Sequence, residues 1–163
     1  MQDLLVQFIM NYGLAGVFLA AIGLNASVLL PLPFDIIFVF IAGLRVFNPL
    51  FLGIAAGAGA AMGEMVGYAT GYFGSKTIEK MTHAQTGKVN DFKNRIKNLG
   101  TIFIFIGALI PFPFDFIGIA AGLIKFDWKR FLAAAMLGRI IRHVLIAYAI
   151  FYGLEAIQAV FLH

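Results

Sequence analysis

Long runs without a charged side chain constrain this chain more than any other feature of its sequence. No charge occurs between positions 4 and 34, Glu64 is the only charge between 46 and 75, and Asp115 is the only one between 99 and 124. Each run reaches the roughly 20 apolar residues that a helix needs to cross a bilayer. With 61% hydrophobic residues and a mean hydropathy of +0.93, the composition excludes an ordinary soluble protein. The sequence therefore predicts an all-α integral membrane protein with a single membrane domain over 1–163.

Two prolines interrupt the apolar sequence twice in the same pattern. The segment "PLPFD" recurs eighty residues later as "PFPFD". The corresponding residues are Pro31, Pro33 and Asp35 in the first copy and Pro111, Pro113 and Asp115 in the second. Proline lacks a backbone donor and clashes with the preceding turn, so neither segment lies inside a continuous helix. We predict that each segment is the tip of a re-entrant helical hairpin, where protein or a watery cavity covers the irregular backbone.

The positions of the Lys and Arg residues distinguish between two possible topologies. If the proline segments only kink the chain between full spans, the six Lys and Arg residues of 76–98 lie opposite Lys125, Lys129 and Arg130. If each hairpin leaves by the side it entered, all nine share one side and Arg45 alone lies opposite. The positive-inside rule favours the second topology. It places the loops 76–98 and 125–130 in the cytoplasm of a multi-pass protein of the cell membrane.

The two hairpins predict an inverted repeat of two units. Repeat unit one covers 11–74 and repeat unit two covers 98–152, each a re-entrant hairpin with a Pro-x-Pro tip plus one transmembrane helix, and a cytoplasmic polar linker at 75–98 joins them. Because each unit crosses once, the second is upside down relative to the first, as in many transporters. The leading arm of the first hairpin is seven residues longer. This leaves open whether 4–24 is a separate span and on which side the N-terminus lies.

Basic residues inside the last apolar run are the strongest candidates for substrate binding. In "LGRIIRHVL", Arg139, Arg142 and His143 are spaced i, i+3 and i+4 and share one helix face near the middle of a predicted span. A central arginine costs at least about 2.5–3.5 kcal/mol, so both need anionic partners or water. Because the guanidinium fork matches phosphate, we predict that Arg139 and Arg142 bind an anionic substrate.

Four ionisable residues are predicted to couple transport to protons. They are Asp35, Asp115, Glu64 and His143. A carboxyl buried in apolar surroundings favours its neutral form, so it can take up and release a proton. Structural alternatives remain: the aspartates could cap the helices that follow them, the carboxylates could pair permanently with the arginines, and His143 could be a hydrogen-bonded core residue.

Four glycines share one face of the predicted span 49–74 and are predicted to mediate helix packing. They are Gly59, Gly63, Gly67 and Gly71. Small residues at four-residue spacing let two helix backbones approach closely. The neighbouring face carries Glu64, Tyr68 and Tyr72 at the same spacing.

Several classes of activity have no support in the sequence. There is no P-loop, no zinc-ligand spacing, no serine with a nearby base and no cysteine, so we expect no enzyme, no catalytic residue, no metal and no cofactor. A basic face on anionic lipid accounts for the pI of 9.5 without nucleic acid. The expected partners are membrane lipids and a lipid phosphate substrate, and the pattern is compatible with a homo-oligomer.

Three blocks of the sequence together resemble the DedA family, also called the VTT or SNARE-associated Golgi protein superfamily. They are "PLPFDIIFVFIAGL", "GAGAAMGEMVGYATGYFGSK" and "NLGTIFIFIGALIPFPFDFIGIAAGL". The resemblance covers roughly 11–150. It implies paired re-entrant hairpins in inverted repeats and movement of lipids between leaflets, which is undecaprenyl phosphate recycling in bacterial members and phospholipid scrambling in eukaryotic relatives. It also matches Asp35 and Glu64 to acidic residues of the family.

The sequence departs from the family pattern at three positions. Asn25 stands where a glutamate is common, and Ala108 and Phe114 stand where many bacterial members have arginines. Arg139 and Arg142 are expected to take over phosphate binding, as in the short branch that resembles YqaA-type proteins.

These patterns predict a membrane lipid transporter, similar to a flippase or scramblase. It would translocate polyprenyl phosphate or a similar anionic lipid between leaflets and would be coupled to protons. One alternative is an ion/proton antiporter or small-anion carrier that uses the same carboxylates. The other is a non-transporting membrane scaffold whose loop 76–98 recruits partners.

Overall fold

The structure is a computed structural model that describes the backbone of 2–26, 34–81, 100–110 and 114–161 and the side chains of 7–26, 34–75, 100–110 and 114–153. Within these ranges the chain is helical and has no strand. The helices are α1 (Gln2–Asn25), α2 (Phe34–Gly43), α3 (Pro49–Gly63), α4 (Met65–Met81), α5 (Gly100–Leu109), α6 (Asp115–Leu123) and α7 (Trp128–Phe161). The predicted tips with Pro31, Pro33, Pro111 and Pro113, and the part of the polar linker from 82 to 98, lie outside the described residues.

Three stretches are long and apolar enough to cross a membrane. They are Gln7–Asn25, Pro49–Ser75 and Trp128–Gly153. Large apolar side chains such as Ile36, Phe73 and Phe116 are exposed on the outside of the molecule, where lipid can solvate them. The prediction of an all-α membrane protein is therefore confirmed. The helices run past the predicted spans 49–74 and 131–152, because α4 continues to Met81 and α7 to Phe161.

Helices α3 and α4 form one nearly continuous rod across the Glu64 junction. The Glu64 N–H donates to Ala60 O at 3.0 Å, and its carbonyl accepts from the Tyr68 N–H at 3.2 Å. Helical hydrogen bonding thus passes through the junction, which agrees with one long span. By contrast, α1 bends at Gly13, whose φ of 58° lies in the left-handed region that glycine adopts without strain.

Helices α2 and α6 are each joined to the helix that follows by the same kind of corner. Arg45 after α2 has a φ of 54° and Lys125 after α6 has a φ of 52°, each ten residues after the aspartate of its proline segment. The side chains of Asn48 and Asp127 then cap α3 and α7 by accepting backbone hydrogen bonds of 3.0 and 2.8 Å. The sequence duplication therefore extends to the backbone conformation of the corner.

Glycine contacts hold α3 against α7. A Cβ at Gly53 would come within 2.5 Å of Val144 Cα, and a Cβ at Gly57 would come within 2.5 Å of Ile140 Cα. The two backbones are therefore in direct contact, which only glycine permits. Because the partner number falls as the glycine number rises, α3 and α7 run in opposite directions.

The predicted glycine stripe of α3 and α4 is divided between two partners. Gly59 and Gly63 abut α1 near Ala21 and Asn25, whereas Gly71 abuts the Ile119 backbone of α6. Gly67 is more loosely placed, since a Cβ there would lie 3.7 Å from the carbonyl oxygen of Asp115. Partner numbers rise together in both cases, so α1 runs parallel to α3 and α6 runs parallel to α4.

Helices α2 and α5 pack on α7. At the start of α2, Asp35 contacts Arg142, and at the corner after α2 the Arg45 guanidinium donates to the carbonyl of Phe151 and lies 4.9 Å from its ring centroid. Helix α2 therefore runs parallel to α7. Helix α5 meets α7 where Gly138 abuts Ala108 and Phe105.

Two hydrophobic cores occupy opposite ends of the described molecule. The first joins α1, α2 and the start of α3 to the later part of α7, around Val17, Phe38, Leu52 and Ala147. The second joins α4, α5 and α6 to the first turns of α7. Its buried members include Tyr68, Ile104, Phe114, Phe131 and Ala135. The polar residues described next lie between the two cores.

Candidate functional site

Charged residues of the site lie near the middle of the two long central spans. The 26-residue span Trp128–Gly153 has its midpoint between Arg139 and Arg142, and the 27-residue span Pro49–Ser75 has its midpoint two residues before Glu64. At about 1.5 Å per residue, all three residues lie within about 3 Å of the middle of these spans along the helix axis. Their side chains therefore need partners from the protein.

Arg139 and Glu64 form the deeper of two ion pairs. Arg139 Nη2 donates to Glu64 Oε1, and the two side chains are only 6% and 3% exposed. The Arg139 guanidinium also lies 5.2 Å from the centroid of the Phe114 ring, a favourable cation–π arrangement. Arg139 Nε and Glu64 Oε2 are buried and have no hydrogen-bond partner among the described residues. The pair is compensated in charge but keeps unused hydrogen-bonding capacity.

Arg142 and Asp35 form the second ion pair, which is open on one side. Arg142 Nη2 donates to Asp35 Oδ2, and Arg142 Nη1 is 3.4 Å from the carbonyl oxygen of Ile110. The arginine side chain is 8% exposed, but the aspartate side chain is 41% exposed. The Arg142–Asp35 pair is therefore open to its surroundings on the aspartate side, whereas Glu64 and Arg139 are closed off.

His143 is completely buried between the ion pairs and an aromatic wall. Its Nδ1 lies 2.8 Å from the carbonyl oxygen of Arg139, and its Nε2 lies 3.5 Å from Asp35 Oδ1. The imidazole centroid is 4.8 Å from that of Phe38 in an edge contact and 5.7 Å from that of Phe34. A carbonyl oxygen only accepts hydrogen bonds, so Nδ1 carries the hydrogen of the neutral ring and Nε2 has a bare lone pair.

Asp115 joins the charged group without a direct ion pair among the described residues. It lies in the first turn of α6, partly buried, and interacts electrostatically with both Arg139 and Glu64. Phe114, not Asp115, occupies the N-cap position of α6. Asp35 likewise lies inside the first turn of α2, with its carboxylate turned to Arg142. The helix-cap alternative is thus not the arrangement found for either aspartate.

The described charges do not balance. Asp35, Glu64 and Asp115 carry three negative charges when ionised, Arg139 and Arg142 carry two positive charges, and neutral His143 adds none. One surplus negative charge in apolar surroundings is costly, so the group is suited to hold at least one proton. An anion bound at an arginine would add to this surplus, and uptake of a proton by the group would offset it.

The structure brings the predicted residues of both halves of the sequence into one group. Arg139, Arg142 and His143 lie on the same face of α7, opposite Glu64 and Asp35, with Asp115 at the edge. Tyr68, which follows Glu64 on the same helix face, has a structural role. Its hydroxyl donates to the carbonyl of Phe126 and so connects α4 to the corner after α6.

Three features of the site were not found from the sequence. The first is the direct contact of Gly53 and Gly57 with the backbone of α7. These glycines have the same four-residue spacing as the predicted stripe, and that spacing could have indicated their role. The Phe114 ring under Arg139 and the Phe34 ring beside His143 had no such signal, because their roles depend on the register between helices. Across the described part of the chain, no group of three His, Asp or Glu residues is placed to hold a metal ion.

The fold and the site define the class of the protein: a helical membrane protein with a charged group between two apolar cores. The chain belongs to the VTT domain family, the DedA family, whose model matches residues 30–152 and so includes both aspartates, Glu64 and both arginines. Membership indicates a membrane transporter-like role. The family resemblance of the sequence is thereby confirmed.

A curated archaeal protein is similar over most of its length. An uncharacterised protein of Methanocaldococcus jannaschii is 26% identical over 147 residues, which cover 87% of this chain and 86% of that protein. No solved structure matches the chain.

Proposed function

We propose that this protein moves polyprenyl phosphate, or a similar anionic lipid, between the leaflets of the cell membrane in exchange with protons. The observation that carries the proposal is the open ion pair, in which a buried arginine at mid-span is held by a carboxylate that is 41% exposed. A phosphate headgroup can displace that carboxylate, because it offers the guanidinium two oxygens in a matching fork. The deeper pair of Arg139 and Glu64 keeps the second arginine compensated meanwhile.

The proposed architecture is an inverted repeat of two re-entrant hairpins, each followed by one crossing. Four observed directions support it: α1 is parallel to α3, α2 is parallel to α7, α6 is parallel to α4, and α3 is antiparallel to α7. Helix α2 thus starts near the middle of α7 and runs toward the C-terminal end of α7. Helix α6 starts beside Gly67 and runs toward the C-terminal end of α4. Such paired broken segments meeting at mid-depth are typical of transport sites.

The first test is transport by the purified protein in vesicles. Vesicles that contain the protein and labelled polyprenyl phosphate should show protein-dependent loss of label from the outer leaflet, and Arg142→Gln should abolish it. Lys129→Gln is the matched control, since it removes an exposed positive charge in the first turn of α7 and should transport normally. Rates equal to those of empty vesicles for every anionic lipid would refute lipid transport.

The same vesicles separate the other functions. Uptake of inorganic phosphate without lipid movement would identify a small-anion carrier. Proton flux driven by a cation gradient, without added lipid, would identify an antiporter. Full activity in cells after neutralising both arginines, with loss on deleting 82–98, would identify a scaffold.

A further inference from the structure

His143 and Asp35 present two hydrogen-bond acceptors to each other. The Nδ1 hydrogen of His143 is committed to the Arg139 carbonyl, so Nε2 faces Asp35 with its lone pair. The facing atom, Asp35 Oδ1, is a carboxylate oxygen 3.5 Å away. Both atoms are buried and have no hydrogen-bond partner among the described residues. Two buried acceptors without a hydrogen between them are unfavourable, and one added proton would satisfy both.

We propose that the gap between His143 Nε2 and Asp35 Oδ1 is the proton-binding site of this protein, filled when Arg142 leaves Asp35 for an anionic headgroup. This inference rests on the proposed function. While Arg142 pairs with Asp35 Oδ2, the carboxylate is compensated and the gap stays empty. When the headgroup takes Arg142, one proton enters from water, forms an O–H bond on Oδ1 and is shared with Nε2. When the headgroup leaves, that O–H bond breaks, the proton returns to water and the ion pair reforms.

The residues around the gap explain why the proton held there, rather than one on another carboxyl, is the proton that exchanges with water. The charged groups facing the gap are Arg139 and Arg142 from α7, with Glu64 from the α3–α4 junction and Asp115 from α6 nearby. Glu64 is closed in by its own ion pair. Among the described carboxylates, only Asp35 combines an ion pair, an unpartnered acceptor oxygen and a side chain that is partly exposed. Since the two nearby arginines disfavour a second positive charge on the buried ring, the proton formally resides on Asp35 and the histidine accepts it.

The inference predicts that ligand binding takes up one proton. With farnesyl phosphate as the probe, the wild-type dissociation constant should fall by up to tenfold for each unit of decreasing pH, relative to His143→Gln measured at the same pH values. The titration of the ligand affects both proteins equally. The ratio of the two dissociation constants therefore reports only the protons taken up by the protein. In His143→Gln the amide hydrogen fills the gap permanently, and Asp35→Asn does the same from the other side, so both variants should bind without this additional slope.

Asp115→Asn tests the other candidate carboxylate of the charged group, which has no ion pair among the described residues. If the proton is held between His143 and Asp35, this variant keeps the wild-type slope. A wild-type slope equal to that of both His143→Gln and Asp35→Asn would overturn the proton site. Loss of the slope in Asp115→Asn but not in Asp35→Asn would overturn it too. Absence of farnesyl phosphate binding by the wild type at any pH between about 5 and 8 would instead refute the proposed function.

A spectroscopic measurement makes the inference independent of whether His143→Gln folds. With ¹⁵N-labelled histidine, the ligand-free wild type should show His143 with a hydrogen on Nδ1 and a bare Nε2, and farnesyl phosphate should convert Nε2 to a hydrogen-bonded nitrogen. Inorganic phosphate in place of farnesyl phosphate distinguishes a free anion from a lipid headgroup. The same change with both would support the proton site but would favour a small-anion carrier. A ligand-free ring with its hydrogen on Nε2 would contradict the proposal.

Discussion

Arg139 and Arg142 are three residues apart on one helix but have different environments. Arg139 and its partner Glu64 are both closed off from the surface, whereas Asp35 exposes two-fifths of its side chain beside Arg142. A buried ion pair contributes little net stability compared with an apolar pair, but removal of one partner leaves an uncompensated charge. The first pair should therefore matter for folding and the second for ligand exchange.

Removal of Glu64 alone should destabilise the protein strongly. Glu64→Gln leaves the Arg139 guanidinium buried without a counterion, at a cost of about 3–5 kcal/mol, and the double variant Glu64→Gln/Arg139→Gln should recover most of the loss. Asp35→Asn should cost less, because Arg142 still has the Ile110 carbonyl oxygen nearby and its pair is open on the aspartate side. Unfolding in detergent with increasing denaturant measures each value. If the double variant loses the sum of the free energies lost by the two single variants, Glu64 and Arg139 do not stabilise the protein as a pair.

The candidate residues could be found from the sequence, but their pairing could not. A charge within an apolar run is visible without any structure, as it was for Glu64 and Arg142. Asp35 and Asp115 have almost the same local sequence, yet only Asp35 forms an ion pair with Arg142. The difference arises because α2 packs along α7 while α6 packs along α4, and helix partners are fixed by packing over the whole molecule.

Close backbone packing is the main property at the scale of helices. The spacing in the sequence identified the glycines as a packing face, but a stripe of small residues does not reveal its partner. In the structure, neighbouring stripes of one rod serve three helices: Gly57 meets α7, Gly59 meets α1 and Gly71 meets α6. Each contact is possible because no Cβ keeps the backbones apart.

Gly57→Ala should therefore destabilise the protein. The added methyl would lie 2.5 Å from Ile140 Cα and 2.7 Å from the Arg139 carbonyl oxygen, so the helices must separate, at a cost of about 1–3 kcal/mol or more. Gly74→Ala is the matched control in the same rod, since no atom lies within 4 Å of the added group. It should be neutral or stabilising by about 0.4–1 kcal/mol. Thermal unfolding in detergent compares them, and equal losses would argue against direct α3–α7 contact.

At the scale of the whole molecule, the two corners should face opposite sides of the membrane. Helix α3 starts near Val46 and α7 starts near Lys129, and the two helices are antiparallel. The chain has no cysteine, so Val46→Cys and Lys129→Cys can be labelled singly with an impermeant maleimide. In oriented vesicles, one variant should react from outside and the other only after permeabilisation, with Lys129→Cys cytoplasmic. Labelling from the same side would exclude the inverted repeat.

Composition and the repeated proline segments were sufficient to predict a helical membrane protein and its family. The structure places Arg45 beside Phe151 and the Lys125 corner beside α4. The left-handed backbone of these two residues could not be predicted, because neither is glycine or asparagine. That conformation is imposed by the short connection between two packed helices.

The separation of the apolar interior into two cores affects how the molecule comes apart. Helix α2 belongs to one core and helix α6 to the other, and the ion-paired residues lie between the two cores. Cooperative opening units usually follow such contiguous apolar clusters. Amide hydrogen exchange should therefore show two groups of protected amides with separate opening free energies, one for each core. The long helix α7 contributes to both, so its two halves should exchange at different rates.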